Sequence, residues 1–233
     1  MDLTHRFTRI VDERDISGAI DFQMELGQFV TAAKLPRKPK TVCAFDISYD
    51  KRSRTNFGAA IVMSLPELNV IETATVVQEA CFPYVPGLLA FREGLAIFAL
   101  YKMLKNRPEI LLFDGHGLAH PRGMGIATMM GILLDRPSIG CGKSRLAGEY
   151  VEPNRRKGSR SQLNYNGRTI GCVLRTRDDI KPLFVSIGHR ISLEEAAGIV
   201  LGLCRRYRQP EPIRAAHKLA NEIRIDYINS EFS

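Results

Sequence analysis

Hydrophobic residues recur along the chain at two different spacings, one typical of helices and one of strands. From Ile16 to Ala33 they have helical spacing behind Asp15, a residue type that caps helix N-termini, so a leading helix is predicted to pack on the core. Three apolar segments separated by turn-like residues follow and predict an antiparallel meander. Their predicted bounds are Thr41 to Ser48, Phe57 to Ser64 and Asn69 to Val77.

After the meander, helix-like and strand-like segments alternate. Helices are predicted over Leu88 to Lys105, Gly123 to Leu134, Ser192 to about Tyr207 and Ile213 to Ile223. Short strands are predicted over Glu109 to Phe113, Ser138 to Cys141 and Pro182 to Ile187, and a hairpin over Asn164 to Thr176 turning at Asn166-Gly167. Ser192 and Glu195 have the spacing of a capping box. This order predicts an α/β fold with a mixed β-sheet flanked by helices.

Composition indicates an ordinary globular chain. With 233 residues, 45% of them hydrophobic, we expect a single domain over residues 1–233. The first residues lack the apolar segment of a secretory signal and the apolar runs are short, so we expect a cytoplasmic protein without a membrane partner. The five cysteines are odd in number and never form a C-x-x-C pair, which disfavours disulfides and structural zinc.

The charge balance adds a candidate partner. The chain has 33 Lys and Arg against 25 Asp and Glu, a net charge of +8, which favours a polyanion and most simply nucleic acid. Basic residues are concentrated in segments 154–160 and 205–208. For the first segment, a solvated connecting loop is the alternative.

Three carboxylates stand where chemistry is expected in such a fold. Asp46 comes late in the first predicted strand and Asp114 ends the fourth, and ligands of α/β sheets gather where strands end. Glu93 lies in a stretch from Leu88 to Leu100 in which Arg92 is the only other charge, so at least one of the two must face a partner or solvent. Together the three would suit a hard cation such as Mg²⁺. Turn or cap roles for the aspartates, and a surface patch at Arg92-Glu93, are the alternatives.

The segment DGHGLAHPRG, from Asp114 to Gly123, concentrates glycines and histidines. Glycines let a backbone approach a flat ligand closely. The segment lacks the third glycine of the dinucleotide fingerprint, and Gly140 to Ser144 lacks the first glycine of a P-loop, so no nucleotide cofactor is expected. Lys143 could reach a phosphate or remain an exposed turn residue. The histidines leave a zinc site as an alternative.

Tyr84 lies between Pro83 and Pro86 in a stiff loop. A rigid aromatic side chain of this kind could insert into a base stack, or could dock on its own protein.

With these segments in place, the chain resembles the endonuclease V family over nearly its whole length. The matching blocks are FDISY at 45–49, FPYVPGLLAFREG at 82–94, DGHGLAHPRGMGIA at 114–127, PSIGCGKSRLAG at 137–148, SIGHRIS at 186–192 and PEPIRAAH at 210–217. The resemblance implies a ribonuclease H-like core and Mg²⁺-dependent nicking of DNA that contains a deaminated base, chiefly deoxyinosine. The cut is expected at the second phosphodiester bond on the 3′ side of the lesion, and Mn²⁺ is a plausible substitute for Mg²⁺.

The resemblance also implies roles for individual residues. Asp46, Glu93 and Asp114 correspond to the metal-binding carboxylates. His120 and Lys143 correspond to groups that assist at the scissile phosphate, and His217 to an additional catalytic group. The expected lesion-binding residues are the wedge Tyr84 and the pocket residues Gly87, Leu89, Gly115, Gly117 and Leu146.

This sequence departs from the family pattern at several positions, among them Cys141-Gly142 before the lysine and Gly123 after Pro-Arg. Cys141 raises the question of oxidant sensitivity, but the expected metal ligands are unchanged. Three alternatives stay open. The protein could cleave inosine-containing RNA, it could bind inosine without cutting, or it could be a zinc hydrolase of small phosphoesters.

Overall fold

The protein forms one eight-stranded sheet in the strand order β3-β2-β1-β4-β5-β8-β7-β6. The computed structural model describes residues 2–231. Its strands are β1 (Thr41–Asp50), β2 (Thr55–Ser64), β3 (Val70–Glu79), β4 (Ile110–Phe113), β5 (Ser138–Gly142), β6 (Arg160–Tyr165), β7 (Arg168–Leu174) and β8 (Leu183–His189). Its helices are α1 (Leu3–Glu13), α2 (Ile16–Leu26), α3 (Leu89–Met103), α4 (Ile126–Leu133), α5 (Leu193–Leu203) and α6 (Glu211–Glu231).

The sheet is mixed, as predicted. The first three strands form the expected antiparallel meander, β4 and β5 then add parallel to β1, and β8 returns antiparallel to β5. The predicted α/β class with a ribonuclease H-like sheet is therefore confirmed. Within the part of the chain that the structure describes, no helix has both the length and the apolar character needed to span a bilayer.

Helices cover both faces of the sheet because side chains alternate along each strand. On β1, Cys43 and Phe45 pack into the core that α1 to α4 cover, whereas Val42 and Ala44 pack into the core that α5 and α6 cover. The centre of the sheet is thus buried on both sides, whereas the edge strands β3 and β6 are largely exposed. Its strand ends and connecting loops are where polar side chains can gather.

The N-terminal region differs from the prediction. The helix predicted over residues 16–33 ends at Leu26 and is followed by a short 3-10 turn at Gly27–Phe29. Its cap is as expected, because the Asp15 carboxylate accepts a hydrogen bond from the Gly18 N–H at 2.8 Å. The preceding helix α1 was missed, although Phe7, Ile10 and Val11 give it a buried face. Phe7 stacks on Phe91 of α3 with ring centroids 5.2 Å apart.

The C-terminal half contains three further differences. Strand β6 begins at Arg160 rather than at 164, so the basic segment 154–160 runs directly into the hairpin. Helix α5 has the predicted capping box but ends at Leu203, and the basic residues after it form a bend. Helix α6 extends from Glu211 to Glu231, well beyond the predicted end at Ile223. This longer helix packs across β1 and β2.

Candidate active site

The first two aspartates meet where β1 and β4 part. Parallel pairing of these strands ends with Phe45 opposite Phe113, so the next residues, Asp46 and Asp114, lie side by side just beyond the last pair. Glu93 reaches the same point from α3. The three carboxylates line one cavity of about 150 Å³, the carboxylate cavity, together with Phe45, Ile47, Leu89, Ile97, Phe113 and Ile126. The predicted triad is therefore brought together by two strands and a helix.

The charges in this cavity repel one another. Burial raises the pKa of Asp46, an effect that His217 opposes and Asp114 reinforces. Burial, together with the nearby charge of Asp46, raises the pKa of Glu93 to about 8. Like charges crowded in a partly dry pocket favour proton uptake or a bound cation. An all-carboxylate donor set fits a hard divalent cation such as Mg²⁺.

Two basic side chains lie on this cluster. The Lys143 Nζ atom is 2.6 Å from Asp114 Oδ2, and the His217 Nδ1 atom is 3.1 Å from Asp46 Oδ2. Across residues 2–231, no three Asp, Glu, His or Cys side chains already converge closely enough to form a ready metal site. In this arrangement the Lys143 ammonium pairs with Asp114, and the ring of His217 contacts Asp46. Lys143 and His217 thus lie beside the carboxylates, and a role for them at a reacting phosphate stays a prediction.

A second cavity adjoins the first. This apolar cavity has a volume of about 170 Å³ and shares Leu89 and Ile126 with the carboxylate cavity. The predicted lesion-binding residues on its wall are Tyr84, Gly87, Leu89, Gly115 and Leu146. Gly87 has φ +81°, a conformation that side chains rarely adopt. The cavity is smaller than the roughly 300–1,000 Å³ of sites for drug-sized ligands, so it suits a single flat base.

The structure corrects the position of Gly117. It is buried, and a Cβ atom there would lie 2.1 Å from the Ile187 carbonyl oxygen. Its N–H donates to Ser186 Oγ at 2.8 Å. Gly117 therefore packs against β8 behind the loop rather than facing the apolar cavity, and its glycine identity allows this close backbone contact.

His120 also lies elsewhere than predicted. It is buried on the wall of the apolar cavity and is not among the residues that line the carboxylate cavity. The Arg122 N–H donates to His120 Nδ1 at 3.2 Å, so the proton is on Nε2, which donates to the Gly87 carbonyl at 3.1 Å. Burial, followed by the nearby Arg122 charge, lowers the pKa of His120 to about 4. His120 is thus a neutral side chain that fixes the Gly87 turn.

This burial predicts a pH-dependent stability. The unfolded chain takes up a proton on His120 below about pH 6.5, whereas the folded chain does not until about pH 4, so stability is complete above pH 6.5 and is lost as the pH falls. From pH 7 to pH 5 this residue alone should remove about 2 kcal/mol of unfolding free energy. Denaturant unfolding of the wild type and of His120→Asn at both pH values checks it. Equal losses in the two proteins would contradict it, because contributions from other histidines cancel in the comparison.

The neighbouring charged residues Arg92 and Glu93 of α3 have different surroundings. The Arg92 guanidinium carbon lies 3.7 Å from the centre of the Tyr49 ring and 5.7 Å from that of Tyr84. Arg92 therefore stacks between two aromatic side chains, while its neighbour Glu93 faces the carboxylate cavity. Tyr84 itself is 68% exposed, so its ring is available to a partner.

Sequence reasoning missed Ser48 and Asn221. The Asn221 amide nitrogen is 2.9 Å from His217 Nε2, and Ser48 Oγ donates to Asn221 Oδ1 at 3.0 Å. The sequence spacing of each residue from a predicted site residue could have indicated its position. Ser48 follows Asp46 by two residues on the same side of a strand, and Asn221 follows His217 by one helical turn.

The cysteines carry no reactive site. All five are free, and Cys141 is buried beneath the Lys143 turn with a pKa raised well above the ordinary thiol value by burial. Since the thiolate is the reactive form, the suggested oxidant sensitivity of Cys141 is not supported.

Comparisons with known proteins show the family of this chain. Residues 25–218 match the family model described as Endonuclease V. The chain is 43% identical over 205 residues to Endonuclease V of Dehalococcoides mccartyi, covering 88% of this chain and 92% of that protein. It is similar to the crystal structure of Endonuclease V from Streptomyces avermitilis, with a TM-score of 0.87, 36% identity and coverage of 91% of this chain and 94% of that chain. It is also similar to Ciona intestinalis Endonuclease V in complex with DNA containing an inosine followed by a ribo-adenosine, with a TM-score of 0.79, 27% identity and coverage of 91% and 98%.

Proposed function

The chain belongs to the endonuclease V family and is an endonuclease, and on that premise we propose that it nicks DNA containing deoxyinosine at the second phosphodiester bond 3′ to the lesion. The observation that carries the proposal is the meeting of Asp46, Glu93 and Asp114 beside a cavity of the size of one base. We further propose that the whole chain acts as one domain, because the site combines residues from β1, α3, β4 and α6.

The choice of substrate rests on two supports. The Ciona intestinalis relative was crystallised with inosine-containing DNA, and that enzyme shares its fold with this chain. Here, Gly87 and Gly115 line the apolar cavity, and because neither has a side chain a flat base can lie close to their backbone. Turning a base out of the duplex costs a few kcal/mol, and a mispaired hypoxanthine lowers that cost.

Asp46, Glu93 and Asp114 would hold the cation, for which we propose Mg²⁺, with Mn²⁺ as a substitute. When bound, such an ion supplies charge stabilisation at the phosphate and an activated water. Lys143, fixed beside Asp114, adds a positive charge where negative charge grows during cleavage. His217 holds one oxygen of Asp46 and so orients that carboxylate.

Two alternatives make different predictions. A non-cleaving inosine-binding protein gains nothing from three carboxylates near a phosphate, and their crowding argues against it. Cleavage of inosine-containing RNA has one specific support, because the Ciona intestinalis complex contains a ribo-adenosine after the inosine.

A matched panel of substrates tests the proposal. Duplex DNA, single-stranded DNA and RNA of one sequence would carry a single inosine or a guanine, and each would be incubated with Mg²⁺, with Zn²⁺ or with EDTA. We expect Mg²⁺-dependent cutting of the deoxyinosine duplex and no cutting with EDTA. Faster cutting of RNA would favour the ribonuclease, binding without cutting would favour the binding protein, and activity with Zn²⁺ alone would favour the zinc hydrolase.

Replacing Tyr84 tests the wedge. Tyr84→Ala should lower kcat/KM on a deoxyinosine duplex by about tenfold or more, because the stacking of an aromatic ring on a base contributes about 1–3 kcal/mol. Single-stranded deoxyinosine DNA has no stacked partner strand to displace, so its cleavage should fall less. The two rates are measured side by side, with Tyr207→Ala as a control on the remote bend before α6. An equal fall on both substrates would reject the wedge role.

A further inference from the structure

A basic cleft begins where the candidate site ends. Its volume is about 880 Å³, and its cationic lining residues are Lys143, Arg145, Arg155, Arg175, Lys181 and Arg208. Only two carboxylates, Glu152 and Asp179, line it. Glu152 pairs with the buried Arg175 at 2.7 Å, and Asp179 lies 3.7 Å from Arg155. Among residues 2–231, Arg145 and Lys181 have no carboxylate partner, so the cleft has uncompensated positive charge.

The cleft has a fixed floor. Arg175 donates to the carbonyl groups of Pro153 at 2.8 Å and Asn154 at 3.1 Å. Arg208 donates to the carbonyl groups of Lys143 and Pro182, both at 2.7 Å. Two arginines thus tie the loops that form the cleft to each other and to the backbone of Lys143. The exposed Arg145 and Lys181 are carried on this preformed frame.

Lys143 connects the cleft with the carboxylates. The apolar cavity shares two residues with the carboxylate cavity, whereas it shares none with the cleft. The cleft is joined to the carboxylates through Lys143, which contacts Asp114. On the proposed function, a strand with its lesion in the apolar cavity and its second 3′ phosphate at the carboxylates would have Lys143, and with it the start of the cleft, beside the phosphate that is cut.

We infer that the basic cleft binds the sugar-phosphate backbone of the nicked strand on the 3′ side of the cut. The inference rests on the proposed function and adds to it the direction in which the bound strand runs from the cut. Phosphate groups match the cleft because Arg145 and Lys181 are exposed and have no carboxylate partner among residues 2–231, and phosphate contacts position a strand without reading its sequence. Arg145 and Lys181 are the contacts that can be removed without touching the site.

The test combines substrate length with charge removal. Duplexes would carry one deoxyinosine, a constant 5′ side, and either twelve or two nucleotides beyond the cut. On the long substrate, Arg145→Gln/Lys181→Gln should raise KM by about tenfold and lower the slope of log KM against log salt by about one to two. On the short substrate, variant and wild type should be alike. Arg9→Gln, on α1, is the matched control.

Three results would overturn the inference. They are an equal loss on both lengths, no loss on either, or a loss that depends on shortening the 5′ side instead. If the wild type cuts none of these duplexes, the proposed function fails. If it cuts them without dependence on length, only the cleft assignment fails.

A second inference comes from an independent observation, the chain of hydrogen bonds behind Asp46. Ser48 Oγ donates to Asn221 Oδ1, which directs the Asn221 amide N–H towards His217 Nε2. A neutral imidazole whose Nε2 accepts a hydrogen bond carries its proton on Nδ1. That nitrogen is 3.1 Å from Asp46 Oδ2. Each donor in this series of hydrogen bonds then meets an acceptor.

We propose that Ser48 and Asn221 are positioning residues that hold His217 in the Nδ1–H tautomer. The Nδ1–H group engages Oδ2 of Asp46 and leaves its second oxygen for the cation. Side chains that orient a ligand in this way typically change metal affinity by about 10- to 100-fold when they are removed. These hydrogen bonds link β1 with α6, so the long C-terminal helix contributes directly to the site.

Nitrogen-15 NMR of histidine-labelled protein tests this without activity. At about pH 8.5, the metal-free wild type should show His217 with a protonated Nδ1 and an unprotonated Nε2. Asn221→Leu should give a mixture of tautomers. It should also raise the Mg²⁺ concentration for half-maximal cleavage about tenfold with little change in the KM for DNA. Glu222→Gln, the next residue of α6, is the control.

Either of two results would reject the assignment. One is a protonated Nε2 on His217 in the wild type. The other is an Asn221→Leu protein in which both the tautomer and the Mg²⁺ requirement are unchanged. Ser48→Thr keeps a hydroxyl and should retain the wild-type signals, whereas Ser48→Ala should not.

Discussion

Asp46→Asn is expected to abolish nicking of deoxyinosine DNA, lowering the single-turnover rate by about 10³-fold or more. Asparagine keeps the shape of the side chain but removes one of three negative charges that line the carboxylate cavity. Loss of one electrostatic stabiliser of a transition state commonly lowers a rate by about 10²- to 10³-fold, and loss of a metal ligand also weakens the hold on the ion. The rate is measured with enzyme in excess and saturating Mg²⁺.

The same variant should remain folded. Burial and Asp114 raise the pKa of Asp46, so its charge is disfavoured in the folded protein, and neutralising it removes repulsion. An unchanged or higher melting temperature is therefore expected in EDTA. A nicking rate within tenfold of the wild type would remove Asp46 from the proposed metal site. Asp226→Asn, on the exposed part of α6, controls for the substitution itself.

Gly117→Ala should have the largest effect on folding. Its Cβ atom would lie 2.1 Å from the Ile187 carbonyl oxygen, 2.7 Å from its carbonyl carbon and 3.0 Å from Gly188 N. All three are backbone atoms of β8, so the loop after β4 must move rather than a side chain. Overpacking of this kind typically costs about 1–3 kcal/mol and sometimes more. Because Asp114 begins the same loop, cleavage should fall with stability. Urea unfolding and single-turnover cleavage would be measured together.

Gly198→Ala provides the control for this second prediction. Gly198 lies on the exposed side of α5, and a Cβ atom there meets no atom within 4 Å. Alanine should stabilise the helix by about 0.5–1 kcal/mol with no change in cleavage. If Gly117→Ala has the stability and cleavage rate of the wild type, the contact with β8 is not a constraint. The pocket role first assigned to Gly117 would then be worth testing again.

Much of the fold is readable from the sequence because its elements have strong local signals. The meander, the turn at Asn166-Gly167 and the capping box of α5 follow from residue spacing and turn chemistry. Helix α1 was missed because only three of its residues, Phe7, Ile10 and Val11, are buried, which gives a short apolar pattern. The end of α6 was missed because that segment is polar and is stabilised by packing on the sheet, for example Tyr227 against Phe57.

The site was only partly predictable. Asp46 and Asp114 could be paired because one comes late in a strand and the other ends one, Lys143 was a candidate phosphate contact, and the resemblance to a family supplied His217. His120 and Gly117 were misplaced because both share a segment with Asp114, and a sequence does not show which way a loop folds back. Ser48 and Asn221 meet only in three dimensions, since 173 positions separate them.

Mapping of the cut tests the central claim most directly. A duplex with one deoxyinosine, labelled at the 5′ end of that strand, would be incubated with the protein and Mg²⁺ and resolved on a denaturing gel. We expect a single nick at the second phosphodiester bond 3′ to the lesion, absent with EDTA, with Asp46→Asn and with guanine in place of hypoxanthine. A cut at another bond, or an equal cut in undamaged DNA, would contradict it.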